Sequence, residues 1–136
     1  MKQALVDSGF IIALEYARDE NHSAAIDYWD RQDPNSSSLL TTTFILDEIV
    51  TWFNSRGRHA KAVEIGNGLF ASAAIELVFV DEDLLNRGWE FLCRHSDKTY
   101  SLTDCISFVL MQHRGLSTAL SFDHHFTQAG FHLEPS

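Results

Sequence analysis

Ala4-Leu5-Val6-Asp7-Ser8-Gly9 is an apolar run that breaks into an acid, a hydroxyl and a glycine, and Ala119-Leu120-Ser121-Phe122-Asp123 repeats the pattern near the other end of the chain. Short, mostly apolar runs bounded by turn residues read as strands buried in a sheet. Each run leaves a carboxylate where the strand stops, Asp7 after the first and Asp123 after the second.

Working outward, the apolar spacing predicts helices over about 9–17, 22–32, 43–55 and 58–73, with Gly57 ending the third of them. Strands are expected near 39–41 and over 75–80, and Asn35-Ser36-Ser37-Ser38 after Pro34 reads as a loop. Asp81, Glu82 and Asp83 suit the positive start of a helix running to about His95. Ser101 and Asp104 have capping-box spacing for a helix ending at Gly115. A strand over 117–122, a short turn through Phe126 and an edge strand over 131–133 complete the chain. Strands separated by helices imply one α/β domain over residues 1–136, with a mostly parallel central sheet flanked by helices on both faces. Such sheets bind ligands at the carboxyl ends of their strands, where Asp7 and Asp123 fall.

Two further acids sit in apolar surroundings. Glu48 has Phe44, Leu46, Thr51 and Trp52 as helical neighbours, which leaves Asp47 as the solvated acid of the pair; Asp104 lies within Leu102-Thr103-Asp104-Cys105-Ile106. Taken singly, each acid has an ordinary explanation as a cap, a turn or an exposed helix position. Several acids facing one point repel each other, however, and a chain keeps that arrangement mainly to hold a divalent cation. The net charge of −9 argues against a nucleic-acid partner until such a site is considered. Two bound dications would add about +4 where a phosphate docks.

No apolar run approaches the roughly 20 residues that span a bilayer. Met1-Lys2-Gln3 leads directly into a strand without the apolar core of a secretory signal, so a cytoplasmic location is expected. Cys93 and Cys105 fall in helices without Cys-x-x-Cys spacing and read as buried reduced thiols. Trp29, Trp52 and Trp89 are spaced as packing residues.

Leu5-Val6-Asp7-Ser8-Gly9-Phe10, Thr42-Thr43-Phe44-Ile45-Leu46-Asp47-Glu48-Ile49-Val50-Thr51, Tyr100-Ser101-Leu102-Thr103-Asp104-Cys105-Ile106-Ser107-Phe108 and Leu120-Ser121-Phe122-Asp123-His124-His125-Phe126, in that order, resemble the PIN-domain ribonucleases. Within that family the chain is most similar to the VapC-type toxins of bacterial toxin–antitoxin pairs. The resemblance implies a PIN fold and an RNA endonuclease dependent on Mg²⁺ or Mn²⁺. It carries the catalytic, metal-binding acids onto Asp7, Glu48, Asp104 and Asp123. It also implies a small antitoxin partner and a homodimer. Ser121 stands where the family often has Thr, and His124 where a basic residue is common. Ser8, Ser121, Asp97 and Thr51 are expected to support the carboxylates or meet the substrate.

Rival readings make different demands. A receiver-like regulatory module would want a lysine at a strand end, and Lys98 is the one candidate near an acid motif. A PIN nuclease of RNA processing would act without an antitoxin. A scaffold would use the acids as caps and turns alone. Zinc would need closely spaced His or Cys ligands, and the seven histidines offer no His-Glu-x-x-His. Arg56, Arg58 and Lys61 cluster at a helix junction as an RNA or antitoxin contact, or simply as a solvated face.

Overall fold

Ala4, Leu5 and Val6 are almost completely buried, which puts the first strand in the middle of the sheet and leaves Asp7 at its carboxyl end. The structure, a computed structural model, describes residues 2–33, 35 and 37–136; Pro34 and Ser36 of the expected loop lie outside the described residues. The elements run β1 (Lys2–Val6), α1 (Ser8–Glu15), α2 (His22–Asp30), β2 (Ser37–Thr42), α3 (Thr43–Asn54), α4 (His59–Ala71), β3 (Ile75–Val78), α5 (Glu82–Arg94), α6 (Leu102–Arg114), β4 (Thr118–Leu120), α7 (His125–Gln128) and β5 (His132–Glu134). Among the described residues, no helix is long and apolar enough to cross a membrane.

All strand pairs are parallel, in the order β3-β2-β1-β4-β5. The chain builds outward from β1 through β2 to β3, then crosses to the other side of β1 to add β4 and β5. Successive connections therefore leave β1 and β4 in opposite directions, and a crevice opens at their carboxyl ends. The pairing of Val6 with Leu120 sets the register of that crevice.

Two local expectations change. Strand β2 starts at Ser37, two residues earlier than its apolar core, because Lys2 and Gln3 of β1 pair with Ser37 and Ser38. Ladder partners outweigh the turn preference of serine. The segment through Phe126 is a one-turn helix rather than a plain turn, anchored by the fully buried Phe126 ring 5.0 Å from Phe108.

Helices α5 and α6 pack closely, and Gly88 is the reason they can. A Cβ at Gly88 would lie 2.5 Å from Ile106 Cγ1 and 3.1 Å from Ile106 Cα. With Gly88 and Phe91 facing α6, the opposite face of α5 turns outward and carries Trp89, 55% exposed, together with Cys93. Neither is a core residue as expected: they lie four apart on the solvent side of an amphipathic helix. Cys105 is buried, and both thiols are free. Phe108 at the centre of α6 packs against Tyr100, Phe126 and Phe131.

Gly88→Ala should lower stability by about 1–2 kcal/mol, because overpacking against the Ile106 backbone outweighs the helix propensity gained by alanine. Thermal unfolding checks this, and a melting temperature at or above that of the wild type would contradict the close approach.

Candidate active site

Asp7 is the N-cap residue of α1, with extended backbone dihedrals, yet its side chain makes no capping hydrogen bond. It accepts instead from Ser121 Oγ at 2.8 Å, across the crevice from β4. Ser121, 1% exposed, also accepts from the Asp123 backbone N–H at 3.0 Å, so one hydroxyl joins the acids that end β1 and β4. Burial pushes the Asp7 carboxyl up to about 7, with a smaller contribution from repulsion by Asp104 and Glu48 and partial relief from Ser121 and the Ser8 backbone.

Thr42 Oγ1 caps α3 by accepting from Ile45 N–H at 3.2 Å. With Ile45, Ile49 and Phe53 buried on one side of that helix, Glu48 is half-buried at the crevice while Asp47 is exposed. Ser8 Oγ donates to Glu48 Oε1 at 2.9 Å. Desolvation and then repulsion by Asp104 raise the Glu48 pKa, against hydrogen bonding from Ser8 and Thr103.

Asp104 does cap α6: Ser101 Oγ accepts from its N–H at 3.0 Å, and Ser101 N–H donates to Asp104 Oδ2 at 3.1 Å. His125 Nδ1 lies 3.1 Å from the same oxygen. Both partners take Oδ2, which leaves Oδ1 available toward the crevice. The cap role and a ligand role are therefore compatible. Burial raises the Asp104 pKa, as does Asp123, and the Ser101 N–H and His125 oppose them.

Asp123 Oδ1 accepts from the His125 backbone N–H at 2.9 Å and lies 3.3 Å from His125 Nδ1. The other ring nitrogen, Nε2, lies 3.0 Å from Thr99 Oγ1, and the Tyr100 ring stands edge-on at 5.5 Å. Ligand atoms of Asp104, Asp123 and His125 all fall within 4.8 Å of one another. A cavity of about 410 Å³ is lined by Asp7, Glu48, Asp104 and Asp123, with Ser8, Ser101, Thr99, His125, Ile12 and Trp52.

Of the expected supporting residues, Ser8 lines the cavity, Ser121 is buried behind Asp7, and two are turned away from it. Asp97 is exposed and pairs with Lys98 at 3.7 Å. Thr51 turns to solvent, its hydroxyl 3.5 Å from Asp47 Oδ1, and Trp52, one residue further along α3, takes the position at the cavity. His125 and Thr99 were not anticipated as site residues. The spacing of His125 two residues after Asp123 is the one sequence signal for it; Thr99 reaches it only through the tertiary fold.

The donor set suits a hard divalent cation: carboxylates from four separate segments converge, and among the described residues no lysine or arginine lines the cavity to neutralise them. The isolated Asp81 and Asp83 remain helix-start residues, Asp81 Oδ1 accepting from Leu84 N–H at 2.8 Å.

The sequence profile of the PIN domain matches residues 4–132. The chain is 34% identical over 126 residues to the 23S rRNA-specific endonuclease VapC20 of Mycobacterium tuberculosis, an overlap that covers 93% of each protein. The crystal structure of VapC20, described as a sarcin–ricin loop cleaving toxin, superposes with a TM-score of 0.86 at 33% identity, covering 94% of this chain and 95% of that one. More distant chains share the fold. One is VapBC2 from Rickettsia felis bound to promoter DNA, with a TM-score of 0.70, 7% identity and 97% of each chain covered. Another is a toxin–antitoxin complex from Klebsiella pneumoniae, with a TM-score of 0.58, 12% identity, and 89% and 87% covered. A profile that runs from within β1 to the start of β5, and a relative that matches over nearly its whole length, establish that the chain belongs to the PIN-domain family and is a homologue of the VapC-type endonucleases.

Proposed function

We propose that the protein is an endoribonuclease that hydrolyses RNA phosphodiester bonds with Mg²⁺ or Mn²⁺ at Asp7, Glu48, Asp104 and Asp123. The observation that carries this reading is the convergence of four carboxylates on one cavity that, among the described residues, no lysine or arginine lines. That same feature disfavours a receiver-like module, since Lys98 pairs with Asp97 instead of reaching the acids. Whole-length similarity to an endonuclease supports it from a separate direction.

Asp7, Asp104 and Asp123 would hold the cation. When bound, the ion would supply positive charge against the phosphate and lower the pKa of a water beside it. Ser121 keeps Asp7 and Asp123 in a fixed relation through its two hydrogen bonds. Glu48, with its raised pKa and its Ser8 anchor, is suited to orient the attacking water and accept its proton. The oxygen of that water bonds to phosphorus, the bond from phosphorus to the leaving sugar oxygen breaks, and that oxygen takes up a proton. Neither serine acts as nucleophile, because each hydroxyl already donates to a carboxylate.

Relatives described as a toxin and as a toxin–antitoxin complex support a small antitoxin as partner; a homodimer acting in the cytoplasm on structured RNA completes the proposal, on the family resemblance alone. The rRNA substrate of VapC20 makes a sarcin–ricin hairpin the first RNA to test.

Asp7→Asn should reduce Mg²⁺-dependent cleavage at least about a hundredfold, and Ser121→Ala by about 10–100-fold, as expected for a ligand and its orienting partner. Gel assays of a labelled hairpin read both, and full activity in Asp7→Asn would sink the assignment.

The buried Asp7 carboxyl also has a pH signature. The unfolded Asp7 carboxyl ionises near 3.8, whereas the folded one keeps its proton to about 7. Stability from this group is thus fully present below about pH 4 and is lost as pH rises through 7, a change of about 4 kcal/mol in the metal-free protein. Urea unfolding in EDTA should show that decline, Asp7→Asn should flatten it, and Mg²⁺ at a hundred times its Kd should restore about 2.7 kcal/mol. Equal metal-free stability at pH 5 and pH 8 would contradict the buried charge cluster.

A further inference from the structure

The cavity has an aromatic lip on one side. Helix α1 starts at one acid of the site and α3 carries another at its middle, and each has an aromatic ring further along. Asp7 and Ser8 start α1, and Tyr16 ends it; Glu48 lies on α3, with Trp52 one turn later. Residues four apart on a helix lie on one face, about 6 Å apart along the axis, so Trp52 follows Glu48 along the same stripe. Trp52 lines the cavity, and the Tyr16 ring stands edge-on to it at 5.1 Å.

A guanidinium lies over each ring. Arg56 Cζ is 4.0 Å from the Trp52 ring centroid, and Arg58 Cζ is 5.0 Å from that of Tyr16. The order is therefore Arg58, Tyr16, Trp52, Arg56, with Trp52 touching the site. Both arginines are exposed, and both rings are half-exposed.

The chain carries 19 acids against 10 lysines and arginines, and within the basic cluster beside the site one member is neutralised while two are not. Lys61, the third member of the basic cluster, binds Glu15 at 2.8 Å and Glu64 at 3.2 Å. Arg87 and Arg114 bind Asp83 and Glu76. Among the described residues, Arg56 and Arg58 have no ion pair, which they share with Arg18, Arg31 and Arg94; what distinguishes them is their place over the two rings beside the cavity. Arg56 Nη1 is held by the Trp52 carbonyl at 3.0 Å and by Ser55 Oγ at 3.4 Å, which fixes the guanidinium while its Nε and Nη2 donors stay available.

We propose that Arg58, Tyr16, Trp52 and Arg56 form a docking platform for single-stranded RNA beside the cleavage site, the rings and guanidinium planes stacking bases and the arginines contacting flanking phosphates. This rests on the endoribonuclease reading above. An RNA strand threading an acidic protein needs positive partners outside the carboxylate cluster, because the cation there neutralises only the phosphate being cleaved. Guanidinium groups meet phosphates bidentately and stack on bases, and aromatic side chains accept any base. The platform offers both at the mouth of the cavity.

The test is steady-state cleavage of a labelled hairpin RNA with Mg²⁺ at several salt concentrations. It compares the wild type with Arg56→Gln/Arg58→Gln, Trp52→Leu and Trp52→Phe, after melting curves confirm that each is folded. Trp52→Leu should raise KM about tenfold with kcat within about twofold, and Trp52→Phe should recover most of the loss. The double arginine variant should raise KM and shallow the slope of log(1/KM) against log[salt] by about 1.4, the value for two single-strand phosphate contacts. Unchanged KM and salt slope in a folded double variant would overturn the platform while leaving the nuclease assignment intact. Absence of RNA cleavage by the wild type would overturn the nuclease assignment and the platform with it.

Discussion

Like charges held together in a partly buried crevice are the constraint on which the rest of this molecule depends. Carboxylates at the ends of β1 and β4 and on α3 and α6 come within range of one another without a lysine or arginine between them. Left metal-free, burial of the Asp7 carboxyl, with a smaller contribution from repulsion by Asp104 and Glu48, keeps Asp7 protonated up to about pH 7. A site of this kind is stable as a fold only if the scaffold around it is rigid, and useful only if a cation resolves the repulsion. Strain of this sort at a functional site is offset elsewhere in the fold.

The compensation is visible. A central parallel strand, buried on both faces, fixes Asp7; its register with β4 fixes Asp123; and Ser121 locks the two together with a donated and an accepted hydrogen bond. Asp104 is held from behind by its capping box and by the packing of α6, whose Phe108 meets Tyr100, Phe126 and Phe131. The close approach at Gly88 presses α5 against the same helix only two residues from Asp104 in register, at Ile106. Stability of the α5–α6 pair and geometry of the site are thus coupled. His125 contributes to both: its ring contacts Tyr100 at the edge of the aromatic cluster, and its nitrogens reach Asp104, Asp123 and Thr99.

Much of this was legible in the sequence where the signal is local. Apolar runs ending in acids located β1 and β4, strand–helix alternation gave the parallel sheet, and the Ser101–Asp104 spacing predicted the capping box that forms. Glu48 could be told from Asp47 because helical periodicity assigns one to the apolar side and the other to solvent. What depends on tertiary placement was not legible. Trp89 and Cys93 have the composition of a core helix, but α5 buries its other face because a glycine allows α6 to come close. Asp97 and Thr51 are near acid motifs along the chain, yet the loop and the helix surface carry them to solvent. Thr99 and His125, 26 positions apart, meet only after the chain between them has folded.

The central claim is that the four acids are one cation site and not four separate caps and turns. Diffraction from a crystal soaked in Mn²⁺, read through the anomalous signal of the metal, tests it most directly. The account predicts a peak in the crevice coordinated by Asp7, Asp104 and Asp123, with Glu48 beside it. Full Mn²⁺ exposure with no peak among these carboxylates, or with the metal only at surface histidines such as His124, would contradict it.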